Sequence, residues 1–247
     1  MTQRFFCTDS LDQPQVRLRE HEAHHLIHVM RLSAGDEVLL FDGSGAESRA
    51  KIERLGRSEV VLAVISRQTV DRELSFSLTL GVALPKGDRQ KWLIEKAVEL
   101  GVTRLVPLVT ERSVAQPVAK ALDRLRRGVI EACKQCGRNR LMEISEPQDC
   151  GSFVQQADTD NIALVAHPLR DEDMQEPASA TSIVDLAPRL QKAGEVIVLV
   201  GPEGGLTDLE VEDATRAGWL PVDLGPRILR IETAALAIAA QLAAVAD

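Results

Sequence analysis

Val196-Ile197-Val198-Leu199-Val200-Gly201-Pro202-Glu203-Gly204-Gly205-Leu206-Thr207 opens as an unbroken apolar run and ends in a turn with few side chains. An apolar, β-branched run of this length reads as a strand buried on both faces, the pattern of a parallel sheet. The glycines let backbone approach a ligand closely, and Thr207 stands where a helix N-cap is expected. The arrangement returns in Leu224-Gly225-Pro226-Arg227-Ile228-Leu229-Arg230-Ile231-Glu232-Thr233-Ala234-Ala235. In open α/β sheets ligands bind at the carboxyl ends of strands. Two such loops in succession imply one small ligand held between them.

Strands and helices alternate outward from these loops. Leu74 to Leu84 reads as a strand ending in Pro85-Lys86-Gly87-Asp88, with Asp88 as cap of a helix to Leu100. Trp92, Leu93, Ala97 and Leu100 form its expected apolar face, and Gly101 closes it at C′. Further strands are expected at Leu105–Val109, Ile162–Ala166 and Trp219–Leu224. Helices are expected at Val118–Cys136, Ser182–Ala193, Thr207–Ala217 and from Ile231 onward, and acidic Arg170–Thr181 reads as a mobile loop. Residues 73–247 therefore read as an α/β domain, a parallel sheet with helices on both faces. Residues 1–72 differ. A helical segment, Glu20 to Met30, precedes short strands at Val38–Phe41, Ser48–Ile52 and Val60–Ile65. Turn signals at Asp42-Gly43-Ser44-Gly45 and Gly56 separate them, which indicates a small β-barrel.

Composition excludes several classes. An apolar content of 45% with 27% charged residues is that of a soluble globular chain. Met1 to Asp12 is too polar for a signal peptide. The most apolar stretch, Thr233 to Ala246, contains Gln241 and falls short of the roughly 20 residues a membrane span requires. No membrane partner and a cytoplasmic location are expected. Four cysteines do not make a disulfide framework here, and Cys133 and Cys136 read as ordinary helix cysteines despite their C-x-x-C spacing. The net charge is −8, but residues 86–140 carry 13 basic and 6 acidic side chains. A basic block in an acidic chain is the footprint of a polyanion contact. Aromatic content of 3%, with no Tyr, argues against a base-stacking platform.

His21-Glu22-Ala23-His24-His25 matches H-E-x-x-H literally. A third zinc ligand has no obvious place, and the segment adjoins a small β unit instead of a cleft. The histidines read as surface or domain-contact residues, with no metal expected. The glycine loops lack the Lys-Ser/Thr of a Walker loop, and G-x-G-x-x-G is absent from the chain. Glu203 would repel a phosphate and suits a cationic or hydrogen-donating group. The expected ligand is compact and partly cationic or neutral.

The two loops together resemble the SPOUT class of methyltransferases, and most closely the RsmE family, which methylates N3 of a uridine in 16S ribosomal RNA. Further motifs extend the resemblance: His24-His25-Leu26-x-x-Val29-Met30-Arg31-x-x-x-Gly35-Asp36, Lys86-Gly87-Asp88, Lys96-Ala97-x-Glu99-Leu100-Gly101-Val102 and Glu131-Ala132-Cys133-Lys134-Gln135-x-Gly137-Arg138. Ile231 and Cys136 depart from the pattern. The resemblance implies a PUA-like β-barrel over 1–72, and a SPOUT domain with a C-terminal trefoil knot over 73–247. It implies a homodimer packed through the knot, with 16S rRNA or the small ribosomal subunit as partner. S-adenosylmethionine would be held in the knot by Val200, Gly201, Glu203, Gly204, Leu224, Gly225, Ile228, Leu229, Arg230 and Thr233.

Transfer to N3 requires loss of its proton or stabilisation of the anion. Arg230 is the expected anion stabiliser, with Arg138 as a second choice. Glu232 or Glu203 would take the proton or bind the cofactor's amino group. RNA contacts are expected from Arg31, Lys86, Arg89, Lys91, Arg138 and Arg140. The alternatives are a SPOUT methyltransferase acting on another rRNA or tRNA nucleotide, and a non-catalytic RNA-binding protein of the same fold.

Overall fold

The computed structural model describes residues 3–113, 119–158, 160–167 and 181–246. It has two compact units, Met1–Glu73 with Ile130–Leu141, and Leu74–Val129 with Met142–Asp247. The first contains β1 (Arg4–Phe6), β2 (Gln15–Arg19), β3 (Glu37–Phe41), β4 (Ala46–Leu55) and β5 (Glu59–Thr69), ordered β1-β3-β4-β5-β2. All neighbours are antiparallel except β1 with β3. Alternate residues point inward, so Val16, Leu18, Val38, Leu40, Ile52, Val60 and Leu62 form one apolar cluster with Phe5 and Leu26. The sequence shows β3 to β5 plainly. β1 and β2 were not anticipated, since three to five residues of mixed polarity carry little periodic signal.

The helical segment expected over Glu20–Met30 is α1 (Glu20–His24) followed by one turn of π-helix, His25–Val29. Arg31 just after it adopts φ +55°, a left-handed conformation uncommon for a residue with a Cβ. Polar bonding explains why Ile130–Leu141 belongs with the N-terminal strands. Buried Glu47 accepts from Arg4 (2.9 Å), Gln68 (3.0 Å), Arg72 (3.2 Å) and Asn139 (3.3 Å). Burial pushes the Glu47 carboxyl up, but these hydrogen bonds outweigh it and hold the group below its ordinary value.

The second unit is built on a parallel sheet of β6 (Ser77–Val82), β7 (Arg104–Val109), β8 (Glu143–Ile144), β10 (Asn161–Ala166), β11 (Glu195–Val200) and β12 (Leu220–Val222). Their order is β12-β10-β11-β6-β7-β8, and β9 (Gln148–Asp149) pairs with β7. In register, Val198 lies between Leu164 of β10 and Leu80 of β6. Successive residues of β11 serve opposite faces. Ile197 and Leu199 join a cluster with Phe153 and Val154 of α4 (Cys150–Val154), Ala214 of α6 (Asp208–Arg216) and Trp219. Beside β6 and β11 lies α7 (Ile231–Ala246), which packs with α2 (Arg89–Glu99) and α5 (Ile183–Leu190). The expected layering, helices on both faces of a parallel sheet, is the one found. α3 (Ala119–Cys136) is the remaining helix among the described residues.

Local details both follow and correct the expectations. Thr207 caps α6 in a reciprocal capping box with Glu210, as S/T-x-x-E spacing requires. Gly101 takes φ +85° after α2. Asp88 does occupy the N-cap of α2, but its backbone is helical and its side chain makes no cap bond. Trp92 is 47% exposed, while Leu93, Ile94, Ala97 and Val98 make the buried face of α2. The expected loop Arg170–Thr181 lies almost wholly outside the described residues. Among the described residues no helix is long and apolar enough to cross a membrane.

Gly81 sits where β6 passes beneath Phe153, and a Cβ there would lie 2.3 Å from the Phe153 ring. Gly81→Ala is therefore expected to destabilise the second unit by about 1–3 kcal/mol through overpacking. A urea midpoint unchanged from the parent chain would refute the contact.

Candidate functional site

Three parallel strands end together at one edge of the second sheet. The carboxyl ends of β10, β11 and β12, with the start of α7, enclose a cavity of about 180 Å³. Its walls are mainly the two glycine loops. Residues 200–206 form one wall and residues 222–225 with 227–229 another, with Ala166 at the end of β10, His167 just after it, and Ile231 and Ala234 from α7. The first loop turns through a Gly205 N–H donated to the Pro202 carbonyl at 2.9 Å. Gly205 takes φ +71° there. In the second loop Gly225 takes φ +99° and donates its N–H to Asp223 Oδ1 at 2.9 Å. Both bends need a conformation that side chains disfavour, which is why glycine stands at each.

Gly201 is required for a different reason. A Cβ there would lie 2.8 Å from Leu206 Cγ and 3.1 Å from Leu206 N, so the loop folds back over the bare α-carbon. Leu206 is itself buried in the apolar cluster with Phe153 and Trp219.

Of the ten residues expected to hold a cofactor, Val200, Gly201, Glu203, Gly204, Leu224, Gly225, Ile228 and Leu229 line this cavity. Arg230 and Thr233 do not line it and are exposed. Arg230 stands between the lining residues Leu229 and Ile231. Its guanidinium has no hydrogen-bond or ion-pair partner among the described residues. Glu232 is 5% exposed and does not line the cavity. Its Oε2 lies 3.5 Å from Arg89 Nη1. Arg138 belongs to the first unit, is 3% exposed and is gripped by both oxygens of Glu73. Of the four side chains expected at the reaction, Arg230 and Glu203 are thus exposed, while Glu232 and Arg138 are buried.

The expected RNA contacts divide similarly. Arg31, Lys86, Lys91 and Arg140 are exposed. Arg140 lays its guanidinium over Gly45, 3.2 Å from where a Cβ would stand. Arg89 is partly buried and engaged by carboxylates, and Arg138 is closed off by Glu73.

One residue at the pocket escaped the sequence reading. Arg112, in the turn after β7, donates from Nη1 to the carbonyls of Gly204 (2.9 Å) and Leu206 (3.2 Å). The neighbouring Glu111 N–H donates to Glu210 Oε1 of the capping box at 3.0 Å. β7 ends at the same sheet edge as the glycine loops, and that placement was the available signal.

The H-E-x-x-H segment has a built-in cation. Among the described residues His21, Glu22 and Glu131 bring ligand-type atoms within 4.8 Å of one another. Lys134 Nζ already stands 2.9 Å from Glu22 and 3.2 Å from Glu131. Glu22, the general base in a zincin reading, is also bound by the Phe6 N–H at 3.1 Å. Burial pushes the Cys133 thiol up to about 12, so this member of the C-x-x-C pair is held as an unreactive thiol.

The walls suit a ligand with an apolar ring and a cationic or hydroxylic end. Val200, Ile228, Leu229 and Ile231 supply apolar contact, Glu203 and Asp223 supply acceptors, and Arg227 supplies one cation. Comparison with known proteins agrees. Residues 72–243 match the model of an RNA methyltransferase domain, and residues 18–65 that of an RNA methyltransferase PUA domain. The sheet and its glycine-walled cavity are those of an RNA methyltransferase domain.

Ribosomal RNA small subunit methyltransferase E of Synechocystis sp. is 33% identical over 97% of this chain and 76% of its own length. A ribosomal RNA small subunit methyltransferase E from Neisseria gonorrhoeae, solved bound to S-adenosyl methionine, is 30% identical. It superposes with a TM-score of 0.82 over 97% of this chain and 96% of its own. A Legionella pneumophila protein solved with the bound cofactor SAM is 32% identical, with a TM-score of 0.87 over 99% of this chain and 98% of its own. The chain belongs to the ribosomal RNA small subunit methyltransferase E family.

Proposed function

We propose that this protein transfers a methyl group from S-adenosylmethionine to N3 of a uridine in 16S ribosomal RNA. The observation that carries the reading is the cavity between the two glycine loops, whose walls match a cationic ligand and which relatives solved with S-adenosylmethionine share in overall fold. When bound, the cofactor supplies an electrophilic methyl group on a sulfonium. Val200, Gly201, Glu203, Gly204, Leu224, Gly225, Ile228 and Leu229 hold it, and the chain crossing at this edge is read as a SPOUT trefoil knot. Two copies pair through the knot domain, with the small-residue face of α7 at the contact.

The uridine N3–H is a weak acid, so the site must lower the cost of charge on O2 and O4 as the proton leaves. Arg230 is the residue we assign to this. It is exposed next to lining residues, and its guanidinium has no partner among the described residues. Glu203 lines the cavity and Glu232 does not, so Glu203 is the better of the two as proton acceptor or as partner of the cofactor's amino group. An N3 methyl removes the Watson–Crick donor and stops a reverse transcriptase. Deleting the protein is expected to abolish one such stop in 16S rRNA, and restoring the wild-type chain to bring it back. An unchanged pattern of stops would refute the assignment.

Exposed Arg31, Lys86, Lys91 and Arg140 are read as phosphate contacts. RNA affinity is then expected to fall steeply with salt, since each phosphate contact adds about 0.7–0.9 to the logarithmic slope. Replacing Lys86 and Lys91 together by Ala should reduce that slope by about 1.5. A slope unchanged in the double variant would remove both lysines from the interface.

A further inference from the structure

The geometry points to Arg89 as a positioning residue for methyl transfer, one that ties the two walls of the cofactor pocket together. This rests on reading the cavity as the S-adenosylmethionine site. Arg89 is the first residue of α2 and does not line the cavity. Its Nη2 donates to Glu203 Oε1 at 3.1 Å, and its Nη1 stands 3.5 Å from Glu232 Oε2. Glu203 belongs to the first glycine loop. Glu232 is in the first turn of α7, between the lining residues Ile231 and Ala234. One guanidinium therefore links the first glycine loop to the start of α7.

The Glu203 side chain is 45% exposed, and it is the burial of Glu232 that makes this more than a surface pair. The Glu232 side chain is 6% exposed, and its Oε2 is buried without a hydrogen bond. Arg89 is the cation beside that oxygen. A buried carboxylate that loses its cation must move toward water or take a proton, and either change displaces the start of α7. The same loss frees Glu203 and with it the tip of the first loop. Lysine cannot replace the fork fully, because an ammonium is a point charge where the guanidinium serves two acceptors along separate directions. The basic block of the sequence suggests an RNA role for Arg89, but a guanidinium shared by two carboxylates is already neutralised. Exposed Lys86 and Lys91 remain on either side for phosphate.

Calorimetry with S-adenosylmethionine on the full chain tests this with four variants. Arg89→Gln is expected to weaken binding at least tenfold, and Arg89→Lys by about a third of that factor. Adding Glu232→Gln to Arg89→Gln removes the stranded charge, so the double variant should bind at least threefold more tightly than Arg89→Gln alone. If Arg89→Gln does not fold, the double variant is expected to fold and bind within tenfold of wild type. RNA affinity without cofactor should stay within twofold of wild type in every folded Arg89 variant. Cofactor affinity within twofold of wild type in Arg89→Gln would overturn the proposal. So would a double variant that is no better than the single, or that does not fold, or a loss of RNA affinity with cofactor binding intact. The fourth variant, Gly201→Val, separates the two readings. If it keeps cofactor affinity, the pocket itself is misplaced; if it alone loses affinity, only the role of Arg89 falls.

Discussion

Gly201→Val is expected to abolish measurable S-adenosylmethionine binding, a loss of at least about a hundredfold, in a chain that still folds. A Cβ at this position would meet Leu206 Cγ at 2.8 Å and the Leu206 backbone nitrogen at 3.1 Å. A flexible side-chain end can swing away from such a contact, but neither of these atoms is free to do so. Leu206 is 5% exposed and packed with Phe153 and Trp219, and its backbone carbonyl is held by Arg112 at 3.2 Å. The loop itself must therefore move, and Pro202 to Leu206 all line the cavity. Overpacking of this kind costs about 1–3 kcal/mol, less than the roughly 5–15 kcal/mol by which ordinary domains are stable. Circular dichroism should report a folded chain and calorimetry no heat of binding. Retained affinity would show that the cofactor lies elsewhere.

Arg230→Ala is expected to lower the rate of methyl transfer by about a hundredfold to a thousandfold, the range for losing one donor to a developing anion. Cofactor affinity should change by less than threefold. The separation follows from geometry. Arg230 lies beside the cavity without lining it, so it contributes little to the ligand's walls. It is exposed and supports no packing, so its removal costs little stability. Single-turnover transfer to a 16S rRNA fragment, measured with saturating cofactor, isolates the step. Lost cofactor binding with normal residual turnover would assign Arg230 to the pocket instead of the chemistry.

The parts of the site that were legible in the sequence are those governed by local rules. An apolar run ending in Gly-Pro-Glu-Gly-Gly is readable because backbone conformation and burial on both faces leave marks on consecutive residues. The Thr207–Glu210 box is readable for the same reason. What could not be read depends on residues far apart in the chain. Glu73 and Arg138 are 65 positions apart, and Arg89 and Glu203 are 114 apart. No spacing rule predicts that these charges meet. Net charge counted along the chain placed Arg89 and Arg138 in a basic block without showing that carboxylates from elsewhere fold onto them. Trp92 fits an apolar stripe by its place on α2, while the residues that are buried are Leu93, Ile94, Ala97 and Val98. The turn of π-helix at His25–Val29 shifts its residues off the α-helical period, and no residue type announces such a shift.

Leu206 belongs to two structures at once, since it lines the cavity and also joins the apolar cluster with residues of α4 and α6. That double membership constrains how such a chain can evolve. A lineage moving to a colder habitat would ordinarily loosen interior packing around Phe153 and Trp219, and one moving to heat would tighten it. With the cavity read as the cofactor pocket, either drift is expected to reach the first glycine loop, so that adaptation to temperature and cofactor affinity would change together. Substitutions in this interior should therefore travel through descent in company with changes in the loop they support.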